Sequence, residues 1–337
     1  MKAIIIPTPG EITLRNVSSP SRGENDVLVK VRSMGICGSD INAYRGTNPL
    51  VTYPRIIGHE IAGEVAEIPA GENFLAVGDR VVIEPYVYCG TCYPCMTQRT
   101  NCCENLRVRG VHIDGGMSEY CAHPRHLVHK VADKVSWELL AMVEPLTISV
   151  HAVRRSRLEA GEHLVVTGAG PIGILAALFA KILGAVPIVL DPLESRLEFA
   201  RSLGIENTVN LNKENAVERI RDLTHGRMAE ALVEASGNES AVRSSIDYVS
   251  YASRISLVGW PKKEVSLPTA LFTKKEIDVM GSRNSFHAFP ESISLISENK
   301  INIRPLISEV VPFEDIPRIL KEVASHPESF MKIVGVM

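Results

Sequence analysis

The feature that most restricts how this chain can fold is an alternation of strand-type and helix-type hydrophobic patterns beginning near Glu144. Apolar positions at helical spacing run through Ile148, His151-Ala152 and Leu158 and stop at Gly161. The spacing then predicts a strand over 163–167, a helix over 171–183, a strand over 186–190 and a helix over 194–203 closed by Gly204. A strand near 208–211, a helix over 214–223, a strand over 231–234, a helix over 241–249 and a strand over 254–258 continue the series. Alternation of this kind is the signature of an α/β, doubly wound parallel sheet with helices on both faces. The apolar run from Pro171 to Leu190, interrupted only by Lys181, is broken by Gly184 and Pro187 into a helix and a strand, which argues against a membrane span.

The front of the chain reads differently. Short runs rich in β-branched residues, such as Val27-Leu28-Val29-Lys30-Val31 and Arg80-Val81-Val82-Ile83, lie between Gly, Pro, Asn and Asp punctuation. At 337 residues the chain exceeds what one core usually organises. The expected arrangement is a β-rich domain over 1–145 that regains the C-terminal part, 284–337, and an α/β domain over 146–283. Between about 84 and 116 regular patterning gives out, so that lobe needs its own source of order.

Composition excludes some classes of function. A net charge of −3 and no run of like charges provide no electrostatic footprint for nucleic acid or an anionic membrane. Partners are then expected to be small molecules or copies of the same chain. The N-terminal apolar run, Ala3-Ile4-Ile5-Ile6-Pro7, is too short for a signal peptide, and a cytoplasmic location is expected.

Seven cysteines stand at 37, 89, 92, 95, 102, 103 and 121. Without a secretion signal, clustered cysteines read as metal ligands before disulfides. Cys89, Cys92, Cys95 and Cys103 have the form C-x2-C-x2-C-x7-C, which can close a tetrahedral structural zinc site and order the irregular lobe. Cys102 reads as a bystander and Cys121 as a core thiol. A zinc-ribbon nucleic-acid module fits poorly, since its two separated knuckles and basic neighbours are missing.

A second donor set is spread over two short stretches, Gly35-Ile36-Cys37-Gly38-Ser39-Asp40 and Gly58-His59-Glu60. A thiol, an imidazole and a carboxylate offer zinc three ligands of the kind that leaves one position open for chemistry. Taken singly, Cys37 would be a small buried hydrophobe and His59 a hydrogen-bonded core residue. Downstream, Gly168-Ala169-Gly170-Pro171-Ile172-Gly173 follows a predicted strand and opens a predicted helix. Its glycines permit a tight turn and close backbone approach, and the helix N-terminus faces a pyrophosphate. Asp191 closes the next strand, where a carboxylate accepts from both ribose hydroxyls and repels a 2′-phosphate, favouring NAD over NADP.

Together, C-G-S-D at 37–40, G-H-E at 58–60, the four-cysteine lobe and the later G-x-G-x-x-G resemble the zinc-dependent medium-chain alcohol and polyol dehydrogenases across essentially the whole chain. Glu144-Pro145 resembles the sorbitol dehydrogenase-like branch. The stretches at 99–104, 110–116, 151–155 and Gly281-Ser282-Arg283-Asn284 resemble bacterial hexonate 5-dehydrogenases acting on L-galactonate, L-idonate or L-gulonate, a group that includes RspB-like proteins. The resemblance implies a GroES-like catalytic domain interrupted by a Rossmann domain, two zinc ions and one NAD per chain, and homodimers or homotetramers.

It further implies roles residue by residue. Cys37 and His59 would bind the catalytic zinc, with Glu60 and Glu144 competing for the third place. Ser39 would take the alcohol proton and Asp40 would orient His59. Ser236, Gly237, Val258 and Gly259 would face the cofactor together with Arg196. Arg283 is the candidate cation for a substrate carboxylate. Where many relatives carry histidine at the end of a proton relay, this chain has Asn42, which cannot titrate. A neutral polyol or simple alcohol dehydrogenase would share the metal and cofactor residues. A non-catalytic NAD-binding regulator is the alternative of another class, and the intact donor set argues against it.

Overall fold

In the computed structural model, which describes residues 1–132 and 134–337, the stretch His163–Thr167 is a strand whose every residue is buried. Leu, Val and Val at its centre suit a strand covered on both faces, each side chain contributing about 1.5–3 kcal/mol by leaving water. It pairs in parallel with Val186–Asp191 on one side and Ala229–Glu234 on the other. The full sheet has six strands in the order Asn207–Asn210, Val186–Asp191, His163–Thr167, Ala229–Glu234, Val249–Leu257, Asp278–Gly281, all parallel. This is the doubly wound order expected of a dinucleotide fold.

Around that sheet the unit Pro145–Ala288 closes, with helices Pro171–Ile182, Glu194–Ser202 and Ala216–Leu223 among its connections. One element differs from its sequence pattern. The helix expected over 241–249 spans Glu239–Ser244, and Val249 instead begins the strand Val249–Leu257. Asn238 starts this helix early by accepting from the Ser240 and Ala241 N–H groups. Val249 is buried and paired with Ala229, so sheet contact overrides a helical spacing that the sequence shares with both states.

The other unit comprises Met1–Glu144 and Phe289–Met337. Its main sheet is built on the long strand Asp26–Ile36, flanked by Glu60–Glu67 and by Lys332–Val336, both antiparallel to it. Tyr120–Pro124 pairs with the front half of the same strand. Arg80–Ile83 and Val128–Lys130 extend one edge, and Ile307–Pro312 the other. The helix Ile316–Ser325 buries Ile316, Ile319, Leu320 and Val323, an i, i+3, i+4, i+7 stripe that joins the core of this unit. Gly35 stands opposite Glu60 on one neighbour and opposite Val334 on the other, a register that matters below. No helix among the described residues is long and apolar enough to cross a membrane.

Candidate active site

Cys37 follows the strand Asp26–Ile36 and sits at the N-cap position of the helix Gly38–Tyr44. Three residues on, the buried Asp40 turns back. Its Oδ2 accepts from the Cys37 N–H at 2.9 Å, and its Oδ1 accepts from the Gly58 N–H at 3.2 Å. One carboxylate therefore ties the loop carrying Cys37 to the loop carrying His59. Asp40 Oδ1 lies 4.0 Å from His59 Nδ1, beyond hydrogen-bond range, so it positions the imidazole through the backbone.

Donor atoms of Cys37, His59 and Glu60 all lie within 4.8 Å of one another. His59 Nδ1 and Ser39 Oγ are buried and have no hydrogen-bond partner among the described residues. A thiol, an imidazole and a carboxylate converging beside two orphaned polar atoms fit a zinc ion and an oxygen ligand. Burial opposes charge on His59, but Cys37, Asp40 and Glu144 around it push its pKa well above the ordinary range. A metal would have to displace that proton on binding.

The two competing glutamates are held by different donors. Glu60, at the start of its strand, receives Lys332 Nζ on Oε1 at 2.5 Å and on Oε2 at 2.7 Å. Glu144, in the first turn of the helix Val143–Arg155, accepts from the Tyr86 hydroxyl through Oε1. Burial, with Glu60 nearby, raises the Glu144 carboxyl to about 7, against the pull of His59, Tyr86 and Lys332. The cluster of mutually close donors contains Glu60. Lys332 and Tyr86 escaped the sequence reading: one sits in a terminal strand and the other in the two-residue strand Tyr86–Val87, with nothing local to mark either.

In the lobe, the sulfurs of Cys89, Cys92, Cys95 and Cys103 also lie within 4.8 Å of one another, and Cys102 is outside that group. The Cys92 N–H points at Cys89 Sγ (3.4 Å) and the Cys89 N–H at Cys103 Sγ (3.3 Å). Backbone N–H groups of Thr91 and Cys92 hold the Cys89 thiol down to about 5, while burial pushes Cys95 up to about 12. Four cysteines free of disulfides, with amides aimed at their sulfurs, fit a tetrahedral metal that takes thiolates.

The glycine fingerprint forms the turn between His163–Thr167 and Pro171–Ile182. A Cβ on Gly173 would fall 1.8 Å from the Gly168 carbonyl oxygen, so the helix lies on the turn as only glycine permits. Gly170 caps the helix, followed by Pro171 and Ile172 in its first turn, and a Cβ on Gly170 would meet nothing within 4 Å. That open space at a helix N-terminus fits a pyrophosphate. Asp191 ends its strand with Oδ2 accepting from the Ala169 N–H (2.8 Å) and Oδ1 from the Leu193 N–H (2.9 Å). Its carboxylate therefore shapes the turn, and the helix cap falls to Leu193. Arg196 is half-buried in the first turn of that helix.

Glu234 is a third residue that the sequence reading missed. Fully buried at the end of its strand, it accepts from the Ser236 hydroxyl and from the Ser236 and Gly237 N–H groups at 2.9 and 3.1 Å. Its carbonyl accepts from Val258 and Gly259 at 2.9 and 3.0 Å, so one residue sets both loops. A carboxylate closing an otherwise apolar buried run, Ala231-Leu232-Val233-Glu234, was the available signal. Arg283 is exposed on the segment after the strand Asp278–Gly281. Asn42 receives the Thr47 hydroxyl on Oδ1 at 3.3 Å.

Residues 23–133 match the alcohol dehydrogenase GroES-like domain family, and residues 171–298 match the zinc-binding dehydrogenase family. An uncharacterized zinc-type alcohol dehydrogenase-like protein of Haemophilus influenzae is 52% identical over 337 residues, covering 100% of this chain and 98% of that one. The L-galactonate-5-dehydrogenase of Escherichia coli K12 is 36% identical over 317 residues, covering 93% and 92%. Among solved structures, the rspB alcohol dehydrogenase of E. coli CFT073 complexed with NADH superimposes with a TM-score of 0.94 at 31% identity, covering 100% of this chain and 99% of that one.

Proposed function

Because this chain belongs to the zinc-dependent medium-chain alcohol and polyol dehydrogenases, oxidoreductases acting on CH–OH groups, we propose that it oxidises a secondary alcohol of a sugar acid with NAD. L-Gulonate, L-galactonate or L-idonate, oxidised at carbon 5, are the substrates proposed. The observation that carries the reading is the convergence of the half-buried Cys37 with the buried His59 and Glu60 beside the orphaned Ser39 hydroxyl. A relative that is an L-galactonate-5-dehydrogenase supports the substrate class. Asp191 and a relative seen with NADH support NAD as the cofactor.

Cys37, His59 and an acidic residue would hold a zinc that supplies a Lewis acid for the alcohol oxygen, and the glycine turn would hold NAD as hydride acceptor. Ser39 Oγ receives the hydroxyl proton as hydride leaves the carbon. Asn42 offers no titratable next step, so the proton leaves Ser39 through water, a ribose hydroxyl or another residue. Asp40 keeps the thiol and imidazole in place through the two backbone bonds described above. Arg283 is proposed to pair with the substrate carboxylate, and Cys89, Cys92, Cys95 and Cys103 to hold the second zinc. A homodimer or homotetramer and a cytoplasmic location belong to the same proposal.

Replacing Cys37 by Ser tests the reading. Turnover is expected to fall by at least about a thousandfold while NAD binding, measured by fluorescence titration, stays within about threefold, since the thiolate serves the metal and not the dinucleotide. Retained turnover would overturn the assignment. NADH formation over a panel of hexonates and neutral polyols then separates the sugar-acid reading from a sorbitol-type activity. Equal efficiency of Arg283→Ala on a hexonate and its neutral analogue would remove Arg283 from the substrate site.

A further inference from the structure

The strand Asn207–Asn210 lies beside Val186–Asp191 with Asn210 opposite Asp191, and the Leu211 N–H donates to the Asp191 carbonyl at 3.2 Å. The turn that follows is closed by the Lys213 N–H on the Asn210 carbonyl at 3.0 Å. Sheet pairing therefore brings Lys213, distant in sequence, to the strand end that carries Asp191. Glu194, in the first turn of the helix Glu194–Ser202, reaches the same place. Its Oε2 accepts from Lys213 Nζ at 3.0 Å and from Asn210 Nδ2 at 2.7 Å, and its Oε1 accepts from Arg201 Nη2 at 2.6 Å. Hydrogen bonds from Arg201 first, then from Asn210 and Lys213, hold the Glu194 carboxyl down to about 2, so it is charged near neutrality.

The two cations on Glu194 are held differently. Arg201 also donates to Thr208 Oγ1 at 2.6 Å and is fixed between two partners. The Lys213 side chain is 63% exposed, and Glu194 is its only side-chain partner among the described residues. Glu214, on the same turn, accepts from the Asn210 N–H and is paired with Arg219 at 3.6 Å, which leaves Glu194 as the acid that holds Lys213. A lysine with one exposed contact keeps a mobile four-carbon stem and a compact charge suited to phosphate oxygens. Bound to each other, Glu194 and Lys213 present no net charge. A phosphate monoester carries about −1.5 to −2 near neutrality, so a 2′-phosphate arriving here would meet the Asp191 carboxylate and find the nearby ammonium already neutralised.

We propose that Glu194 is a second determinant of cofactor choice: by holding Lys213 it withholds the cation that a 2′-phosphate needs, and so keeps the site selective for NAD. The inference rests on the reading of Asp191 as the ribose partner. It goes beyond that reading because Asp191 acts on the ribose directly, whereas Glu194 is a positioning residue that acts through Lys213.

The test measures dissociation constants for NADH and NADPH by fluorescence titration of the intact protein. Asp191→Ser is expected to lower the NADPH/NADH ratio of dissociation constants by at least about tenfold. Adding Glu194→Gln is expected to lower the ratio about fivefold further, the effect of freeing one exposed ammonium for the phosphate. Adding Lys213→Met to that double variant should abolish the further gain, because the pair then again presents no net charge. Glu194→Ser, which suits the start of a helix, replaces Glu194→Gln should glutamine unsettle the first turn. A merely structural network would move both dissociation constants together and lower the melting temperature with the ratio unchanged, and that result would overturn the inference. A gain that survives Lys213→Met would overturn it as well. Failure of the underlying reading has its own signature: Asp191→Ser alone would then leave the ratio where it is in the wild type.

Discussion

Asp191 illustrates how much one side chain can carry at the residue scale. Its two oxygens accept from the Ala169 and Leu193 N–H groups, and each oxygen retains a lone pair for a ribose hydroxyl. Asp191→Ser is expected to raise the KM for NAD by at least about tenfold, because charge-assisted hydrogen bonds to both hydroxyls are lost. The KM for NADP should fall at the same time, since the repelling charge is gone. Damage to the turn would weaken both cofactors, so the NAD/NADP ratio of kcat/KM is the informative measurement. Asp191 was legible in the sequence through its spacing from the glycines. Glu234 was harder to find, although it fixes two loops of the same unit, because a lone acid at the end of an apolar run resembles an ordinary strand terminus.

The strand Tyr120–Pro124 shows what an element can conceal. His123 on it is fully buried, with Nδ1 accepting from Arg109 Nε at 2.8 Å and Nε2 donating to the Glu84 carbonyl at 2.7 Å. Burial first, and the Arg109 guanidinium second, hold its pKa well below the ordinary range. The folded-state value is thus below the unfolded one, so the stabilisation is fully present above the unfolded pKa of about 6.5 and is lost as pH falls towards the folded value. His123→Gln can accept and donate in the same places but cannot titrate. Its melting temperature is expected to fall less than that of the wild type between about pH 7 and about pH 5, the window below the unfolded pKa. An equal decline in both proteins would remove His123 as a source of acid lability. At this scale the parallel sheet was legible because its central strands His163–Thr167, Val186–Asp191 and Ala229–Glu234 are mostly apolar and are separated by helical patterns. The helix ending at Ser244 was not, since Ile246, Tyr248 and Val249 suit a helix face as well as the core they enter.

For the molecule as a whole, the metal content is the quantity to measure. Two zinc ions per chain are expected, one lost in Cys37→Ser and the other in Cys103→Ser, by elemental analysis of purified protein. The losses should differ in consequence. Cys103→Ser is expected to accelerate hydrogen exchange across 84–116, where short elements such as Tyr93–Met96 and Arg107–Val108 have little apolar burial of their own. Cys37→Ser should leave that exchange unchanged, because the Cys37 loop is anchored by Asp40 and the main sheet. A single zinc in the wild type, or one variant losing both, would contradict two independent sites.

By itself the sequence determined the class of each unit and the inventory of chemistry, because periodicity, glycine spacing and cysteine spacing are local properties of a chain. It also left Glu60 and Glu144 as equals, since neither carries a local mark of its surroundings. Only the tertiary structure separated them. The pairing of three strands brings Lys332 across Gly35 onto Glu60, while a different segment supplies Tyr86 to Glu144. Which buried charge meets which partner depends on strand register and long-range closure, and those are set by the packing of the whole unit.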